Sequence, residues 1–228
     1  MRAVLIVTWN LFHGRSLPHS RGSLYPQFAE KLRSWEWDVA LLQEVPPWWP
    51  QSLARDLGAE QRTAATSRNS LLAVRRAIAE RRPELAKSNG GGANAVLARE
   101  PIAAHASLRL RTWPERRVAQ LVRLRNGVCV ANYHASARVP LAEDELRRLT
   151  DRALAWAGGA PLVLGGDLNL RAPVPAHLVH VAERDVDHVF VRGLELDGDP
   201  ELLDRSAAAD SGAVELSDHP PLRVRVSR

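Results

Sequence analysis

Short, unbroken apolar runs constrain this chain more than any other feature. Residues 3–8, 38–43 and 161–164 are dominated by Val, Leu, Ile and Ala, without a polar residue at every second place. Successive side chains of a strand point to opposite faces, so a half-exposed strand alternates. A run that does not alternate is apolar on both faces and must be covered on both. A chain with several such strands therefore needs a sheet held between other layers. Helical spacing supplies covering elements at 25–35, with Pro26 in the first turn, at 50–57, closed by Gly58, at 71–86, interrupted by Pro83, and at 140–157, closed by Gly158-Gly159. In the last of these, Glu143, Asp144 and Glu145 come early and arginines follow, the order the helix dipole favours.

Further strands are expected at 93–98, 104–111, 118–125, 128–135, 187–191 and 221–226. Asn126-Gly127, between two of them, is a strong hairpin signal. Hairpins beside strand–helix alternation predict mixed sheets. Segment 205–212 reads as a loop, and Ser88-Asn89-Gly90-Gly91-Gly92 as the most flexible loop. No linker, heptad or low-complexity tract divides the sequence, so one α/β sandwich domain over residues 1–228 is expected.

The single cysteine, Cys129, sits in Val128-Cys129-Val130-Ala131, where a buried, inert thiol is expected. With no internal disulfide possible, a cytoplasmic location is the expectation. No apolar stretch approaches the roughly 20 residues that span a bilayer, and about five apolar residues before Thr8 fall short of a secretory signal. Stable membrane association is not expected. The net charge is +5, and apart from Lys31 and Lys87 all of its positive side is arginine. Such a charge attracts polyanions over the whole surface without naming a partner.

Polar residues directly after buried strands are informative, because strand ends are where rigid scaffolds place reactive groups. Asn10 follows the first run, Glu44 the second, and Asp167 and Asn169 the third. His134, Asp187-His188 and Ser217-Asp218-His219 flank later strands. Each alone reads more readily as a turn, a strand end or a core histidine than as a site. Jointly they offer carboxylate and amide oxygens beside histidines, a donor set suited to Mg²⁺. Cysteine clusters and His-Glu-x-x-His are missing, so a zinc site is not expected. The Gly-Lys-Ser/Thr phosphate loop is also missing, and Gly90-Gly91-Gly92 precedes a strand rather than opening a helix.

The order of these segments resembles the endonuclease/exonuclease/phosphatase superfamily of DNase I-like phosphoesterases. Thr8-Trp9-Asn10 is similar to its opening Asn motif, and Leu42-Gln43-Glu44-Val45 to its Gln-Glu motif. Gly92-Ala93-Asn94-Ala95-Val96-Leu97, followed by Pro101-Ile102, resembles its central strand. Asn132-Tyr133-His134 stands where the family has Asn-x-His, and Gly165-Gly166-Asp167-Leu168-Asn169 where it has Gly-Asp-x-Asn. Asp187-His188-Val189-Phe190-Val191 and Ser217-Asp218-His219 complete the series, which runs from Thr8 to Leu222.

The resemblance implies a four-layered α/β sandwich, two packed mixed β-sheets flanked by helices, with the site at one end. It implies a Mg²⁺-dependent hydrolase of phosphate esters, with Mn²⁺ as a possible substitute. Glu44 would be the principal metal ligand, with Asn10 and Asp218 nearby. Asp167 would orient or deprotonate the attacking water, and Asn169 would hold the phosphate or that water. His219 would act on the scissile phosphate, its tautomer fixed by Asp187, and His134 would sit on the other side. Asn94, Arg116 and Arg117 are candidate phosphate contacts, and Glu115 a candidate partner of His134. His13 has no required role, and His188 reads as core.

Nucleic acid is the first substrate expectation. Arg68, Arg75, Arg76, Arg81, Arg82 and Lys87 either follow a phosphate backbone or form a solvated helix face, since Glu80 and Glu84 interleave them. A phosphomonoester, inositol phosphate or lipid headgroup is the alternative, with Trp48-Trp49 as either an aromatic rim or core packing. A non-catalytic binding module is disfavoured because every matched residue is present. The expected state is a monomer.

Overall fold

A computed structural model of the chain describes residues 2–66, 71–81, 92–210 and 212–228. In chain order its elements are β1 (Val4–Asn10), β2 (Ser16–Leu17), α1 (Tyr25–Ser34), β3 (Val39–Val45), α2 (Pro50–Leu57), β4 (Glu60–Ala65), α3 (Leu72–Arg81), β5 (Ala93–Ala98) and β6 (Ile102–Arg111). There follow β7 (Arg117–Leu124), β8 (Cys129–His134), α4 (Val139–Ala157), β9 (Leu162–Asp167), β10 (Val179–Arg184) and β11 (Asp187–Arg192). The C-terminal part holds β12 (Glu195–Leu196), β13 (Glu201–Leu202), β14 (Ser206–Ala209), β15 (Gly212–Leu216) and β16 (Leu222–Ser227). Arg68, Arg82, Lys87 and positions 88–91 of the glycine-rich segment lie outside the described residues.

One sheet has the order β12-β16-β1-β3-β5-β4, with β13 also on β16; the second has the order β10-β11-β9-β8-β7-β6. Both are mixed, because β1–β3 and β8–β9 are parallel pairs among antiparallel neighbours. Three apolar layers separate four structural ones. Alternate residues of the first sheet, such as Trp9 and Leu42, pack outward on Phe28 and Leu32 of α1 and Leu53 of α2. Their neighbours Ile6, Val39, Leu41 and Val96 face inward on Val122, Val130, Val163 and Val189 of the second sheet. The outer face of that sheet, with Ala131, Leu164 and Phe190, is covered by Leu146, Leu149 and Ala153 of α4. This is the four-layered sandwich, and its two covered sheets explain why the diagnostic runs do not alternate.

Several local expectations are corrected. Segment 205–212 contributes to a hairpin, β14–β15, rather than a loop: Ala207 and Ala209 pack on the α1 layer, an alternation too weakly apolar to register in the sequence. Strands β4 and β10 were not expected; both are sheet edges whose polar residues face solvent. In α4 the first turn carries no acid and the last no base, so its charges do not complement the dipole. Glu145 is instead wholly buried. It accepts hydrogen bonds from the Tyr133 hydroxyl (2.9 Å), the Ser136 amide (2.9 Å) and the Ser136 hydroxyl (2.7 Å), and pairs with Arg111. A buried charge is tolerable only with such partners, and these fix the segment that follows His134.

Toward one end the inter-sheet layer turns polar. Gln43 donates from Nε2 to Asn132 Oδ1 (2.8 Å) across the sheets, and Asn132 Nδ2 donates to the carbonyls of Leu42 and Ala95 (3.0 Å each). These bonds tie the two sheets together near the strand ends that carry Glu44 and His134.

Candidate active site

Strand register delivers the side chains. In each sheet the parallel pair ends two strands on the same edge: Asn10 and Glu44 emerge from β1 and β3, His134 and Asp167 from β8 and β9. His134 stands opposite Asp167 in the ladder, and Asp187, at the start of antiparallel β11, stands opposite Asp167 on the other side. The three therefore form one row across the second sheet. His219 precedes β16, which runs antiparallel to β1, and so arrives at the same end.

Asp167 is the hub. Its Oδ2 accepts a hydrogen bond from Asn10 Nδ2 (2.9 Å) and lies 3.5 Å from His134 Nε2 and 3.9 Å from His219 Nε2. Its Oδ1 accepts from the Asn169 amide (3.0 Å), and the Asn169 side chain donates to the Ala135 carbonyl (3.0 Å). His219 Nδ1 is 2.7 Å from Asp187 Oδ2. Ser217 explains its place in the Ser-Asp-His motif: its hydroxyl donates to the Asn10 carbonyl (2.6 Å) and accepts from the His219 amide (3.0 Å), tying this turn to β1. Trp9 Nε1 adds a bond to the His219 carbonyl (3.0 Å).

Glu44 faces this group from the first sheet, with Oε1 3.9 Å from His134 Nε2 and Oε2 2.9 Å from His13 Nε2. It sits at a register shift in the β3–β5 ladder with φ 49°. Phe12, His13, Asn169 and Ser217 also have positive φ. Non-glycine residues adopt that conformation at a cost, and such strain gathers where surrounding structure imposes a functional geometry. Gly166 has φ 136°, and a Cβ there would lie 1.9 Å from the Tyr133 carbonyl oxygen. The Gly-Gly step before Asp167 is thus a strand position where two backbones nearly touch, not the tight turn that its composition also allowed.

The cleft, of about 280 Å³, is lined by Asn10, His13, Arg15, Glu44, Arg116, Arg117, His134, Asp167, Asn169, Asp218 and His219, among others. Its electrostatics divide the two histidines. Burial pulls His134 below its ordinary value and keeps it neutral. Burial pulls on His219 too, but the Asp187 hydrogen bond and charge, with Asp167 and Asp218, push it up to about 9. Burial would raise the Glu44 carboxyl, yet the His13 bond and the nearby histidines hold it at about 2. Asp167 and Asp187 are both pushed up by burial. A cationic imidazole beside a basic carboxylate is the kind of split that assigns acid and base roles.

Two expectations fail here. Asn94 does not reach the cleft: it is fully buried, and its amide donates to the Val118 carbonyl (3.0 Å) of the other sheet. Glu115 pairs with Arg117 rather than with His134. Arg116 and Arg117 do line the cleft, and His188 is fully buried, as read. Trp49 is core, packed edge-on against Tyr25 and tilted against Phe28, rather than an aromatic rim. Sequence reasoning missed Arg15. Its guanidinium stacks 3.9 Å over the Phe12 ring and lines the cleft; burial lowers its pKa while Glu44 and Asp218 oppose that. The available signal was an arginine five residues beyond Asn10, behind a glycine that allows the loop to double back.

The family model described as "Endonuclease/Exonuclease/phosphatase family" matches residues 7–219. No curated protein sequence matches significantly. Among solved structures, an endonuclease/exonuclease/phosphatase from Beutenbergia cavernae is similar with a TM-score of 0.71 at 20% identity, covering 99% of this chain and 72% of that one. TDP2 from Caenorhabditis elegans gives 0.71 at 16% identity, covering 99% and 75%. A mannosyl-6-phosphatase from Bacteroides thetaiotaomicron gives 0.71 at 14% identity, covering 99% and 100%. At such identities these likenesses establish the fold alone.

Proposed function

The chain belongs to the endonuclease/exonuclease/phosphatase family of phosphoesterases, and from that premise we propose that it is a Mg²⁺-dependent phosphodiester hydrolase acting on nucleic acid. The observation that carries the reading is the convergence of Asn10, His134, Asn169 and His219 on the Asp167 carboxylate, facing Glu44 across a solvent-open cleft.

Divalent-metal dependence is general in the family, and the donors fit such an ion. Glu44 is held ionised and only part-buried, and the Asn10 and Asp218 side chains share its cleft. These are hard oxygen donors, as Mg²⁺ prefers, with room for retained water. When bound, the ion would polarise a phosphoryl oxygen and offset charge on the leaving group.

The chain's own groups supply the rest. Asp167, made more basic by burial and aligned by Asn10 and the Asn169 amide, orients the attacking water and takes its proton. His219, kept cationic by Asp187, stabilises the charge that builds on the phosphate. Neutral His134 donates a hydrogen bond from the other side. Arg15, Arg116 and Arg117 place three guanidinium groups around the opening, where the phosphates flanking a scissile bond would lie.

A panel of plasmid DNA, RNA, bis-nitrophenyl phosphate, inositol phosphates, sphingomyelin and sugar monophosphates, each with Mg²⁺ or excess chelator, tests this. A nucleic acid should lead by about a hundredfold in kcat/KM, nearly 3 kcal/mol of transition-state binding, and chelation or Glu44→Gln should abolish the rate. A monoester in the lead, or activity untouched by chelator, would sink the proposal.

A further inference from the structure

The hairpin β10–β11 carries a second cluster of ligating side chains, on the opposite face of β11 from Asp187. Glu183 stands directly across from His188, and His180 across from Phe190. A register shift between His180 and Ala182 inserts one extra residue, which brings His180 and Glu183, three apart, onto the same face. His180 Nε2 and His188 Nδ1 are 3.2 Å apart, and Glu183 Oε2 is 3.7 Å from each nitrogen.

From this geometry we infer that His180, Glu183 and His188 form a binding site for a divalent transition-metal ion of the Zn²⁺ class. The proposal stands independently of the phosphoesterase reading. Three atoms so spaced have a common point about 2.1 Å from each, which matches Zn–N and Zn–O bonds of about 2.0–2.2 Å. A slight contraction would lift the ion out of their plane and leave a fourth position open.

The surroundings prepare the ligands. His188 Nε2 is 2.7 Å from the Leu170 carbonyl oxygen, which can only accept. Nε2 therefore carries the hydrogen, and Nδ1, the nitrogen beside His180 and Glu183, keeps its lone pair. A backbone carbonyl bound to the far nitrogen is the usual support of a metal-bound imidazole. His180 stacks on Phe190 with centroids 4.6 Å apart, which restricts its ring. His180 and Glu183 are both exposed, so an ion can enter from solvent. Imidazole and carboxylate together favour Zn²⁺ or Co²⁺ over Mg²⁺. No local motif announces such a site, because its ligands are joined across a ladder rather than along a helix or between paired cysteines.

The untagged full chain, titrated with Zn²⁺ in saturating Mg²⁺, tests the site. The wild type should bind one more equivalent than His180→Ala, and Glu183→Gln should weaken that equivalent at least tenfold. Co²⁺ should give the intense visible absorption of a low-coordinate ion, lost in His180→Ala and kept in Asp167→Asn, which disturbs only the cleft. Equal stoichiometry and affinity in wild type and His180→Ala would overturn the assignment. So would loss of the equivalent in Asp167→Asn but not in His180→Ala, which would place the ion in the cleft.

Discussion

Asp187→Asn separates the electrostatic role of the Asp187–His219 pair from simple packing, since the two side chains at position 187 are nearly isosteric. In the folded protein His219 is pushed up to about 9, against the pull of burial, by Asp187 at 2.7 Å and by the charges of Asp167 and Asp218. Relative to an ordinary histidine near 6.5, that gap corresponds to about 3 kcal/mol. The sign follows from proton linkage. A base with a raised pKa in the folded state stabilises fully below about 6.5, and that stability fades as pH rises through about 9. His134, lowered by burial, acts on the acid side, so its effect falls below about pH 6.5 and does not overlap this window. Metal-free protein unfolded in urea at intervals from pH 6 to 9.5 should lose about 3 kcal/mol across the range through this one group. In Asp187→Asn the loss should shrink to about 1 kcal/mol, and the His219 ring resonance should titrate closer to 6.5. With Mg²⁺ present, kcat should fall about a hundredfold, as when a general acid–base group loses its orientation, while KM changes little. An unchanged His219 midpoint in the variant, or a wild type whose stability is flat from pH 6.5 to 9, would refute the reasoning.

Gly166→Ala should cost more than about 4 kcal/mol or prevent folding, since its Cβ would overlap the Tyr133 carbonyl at 1.9 Å. Gly158→Ala, with φ 58° and open space around it, should cost only about 1 kcal/mol, both variants being read by thermal unfolding. Asn132→Leu strands Gln43 and the carbonyls of Leu42 and Ala95 between the sheets and should cost about 3 kcal/mol or more in urea midpoint measurements. Arg15→Ala should lower kcat/KM on a nucleic-acid substrate by about ten- to a hundredfold, as loss of a charged hydrogen bond does, and should weaken the salt dependence of binding; unchanged values would remove Arg15 from the cleft chemistry.

What the sequence disclosed and what it hid divide along physical lines. The doubly buried strands β1, β3 and β9 were legible because burial on both faces leaves an unmistakable run, and α2 and α4 because left-handed glycines close them. Edge strands β4 and β10 were not, since exposed ladders tolerate polar residues. Glu145 looked like an ordinary helix charge because its partners, Tyr133, Ser136 and Arg111, are distant or belong to other elements. Asn94 was misread for a related cause. Its strand places it in the polar part of the inter-sheet layer, one step beneath the cleft, and a motif cannot distinguish a polar residue that holds the sheets from one that meets solvent.

The position of the cleft follows from topology rather than from any single motif. An antiparallel pair sends its two C-terminal ends to opposite edges of a sheet, whereas a parallel pair sends both to one edge. Each sheet here has one parallel pair at its centre, β1–β3 and β8–β9. Packed face to face, the two sheets bring four strand ends to one place, and Asn10, Glu44, His134 and Asp167 are the residues found there. Asp187 and His219 join them from antiparallel neighbours at their N-terminal ends. Crowding carboxylates and histidines there requires a rigid floor, which the Gln43–Asn132 bonds supply. Weakening that floor should therefore perturb catalysis before it unfolds the protein. In a Gln43→Met variant, similar in shape but unable to donate to Asn132, a fall in kcat at temperatures well below the melting transition is the outcome this coupling requires, and an unaltered kcat would show that the two sheets hold their halves of the site independently.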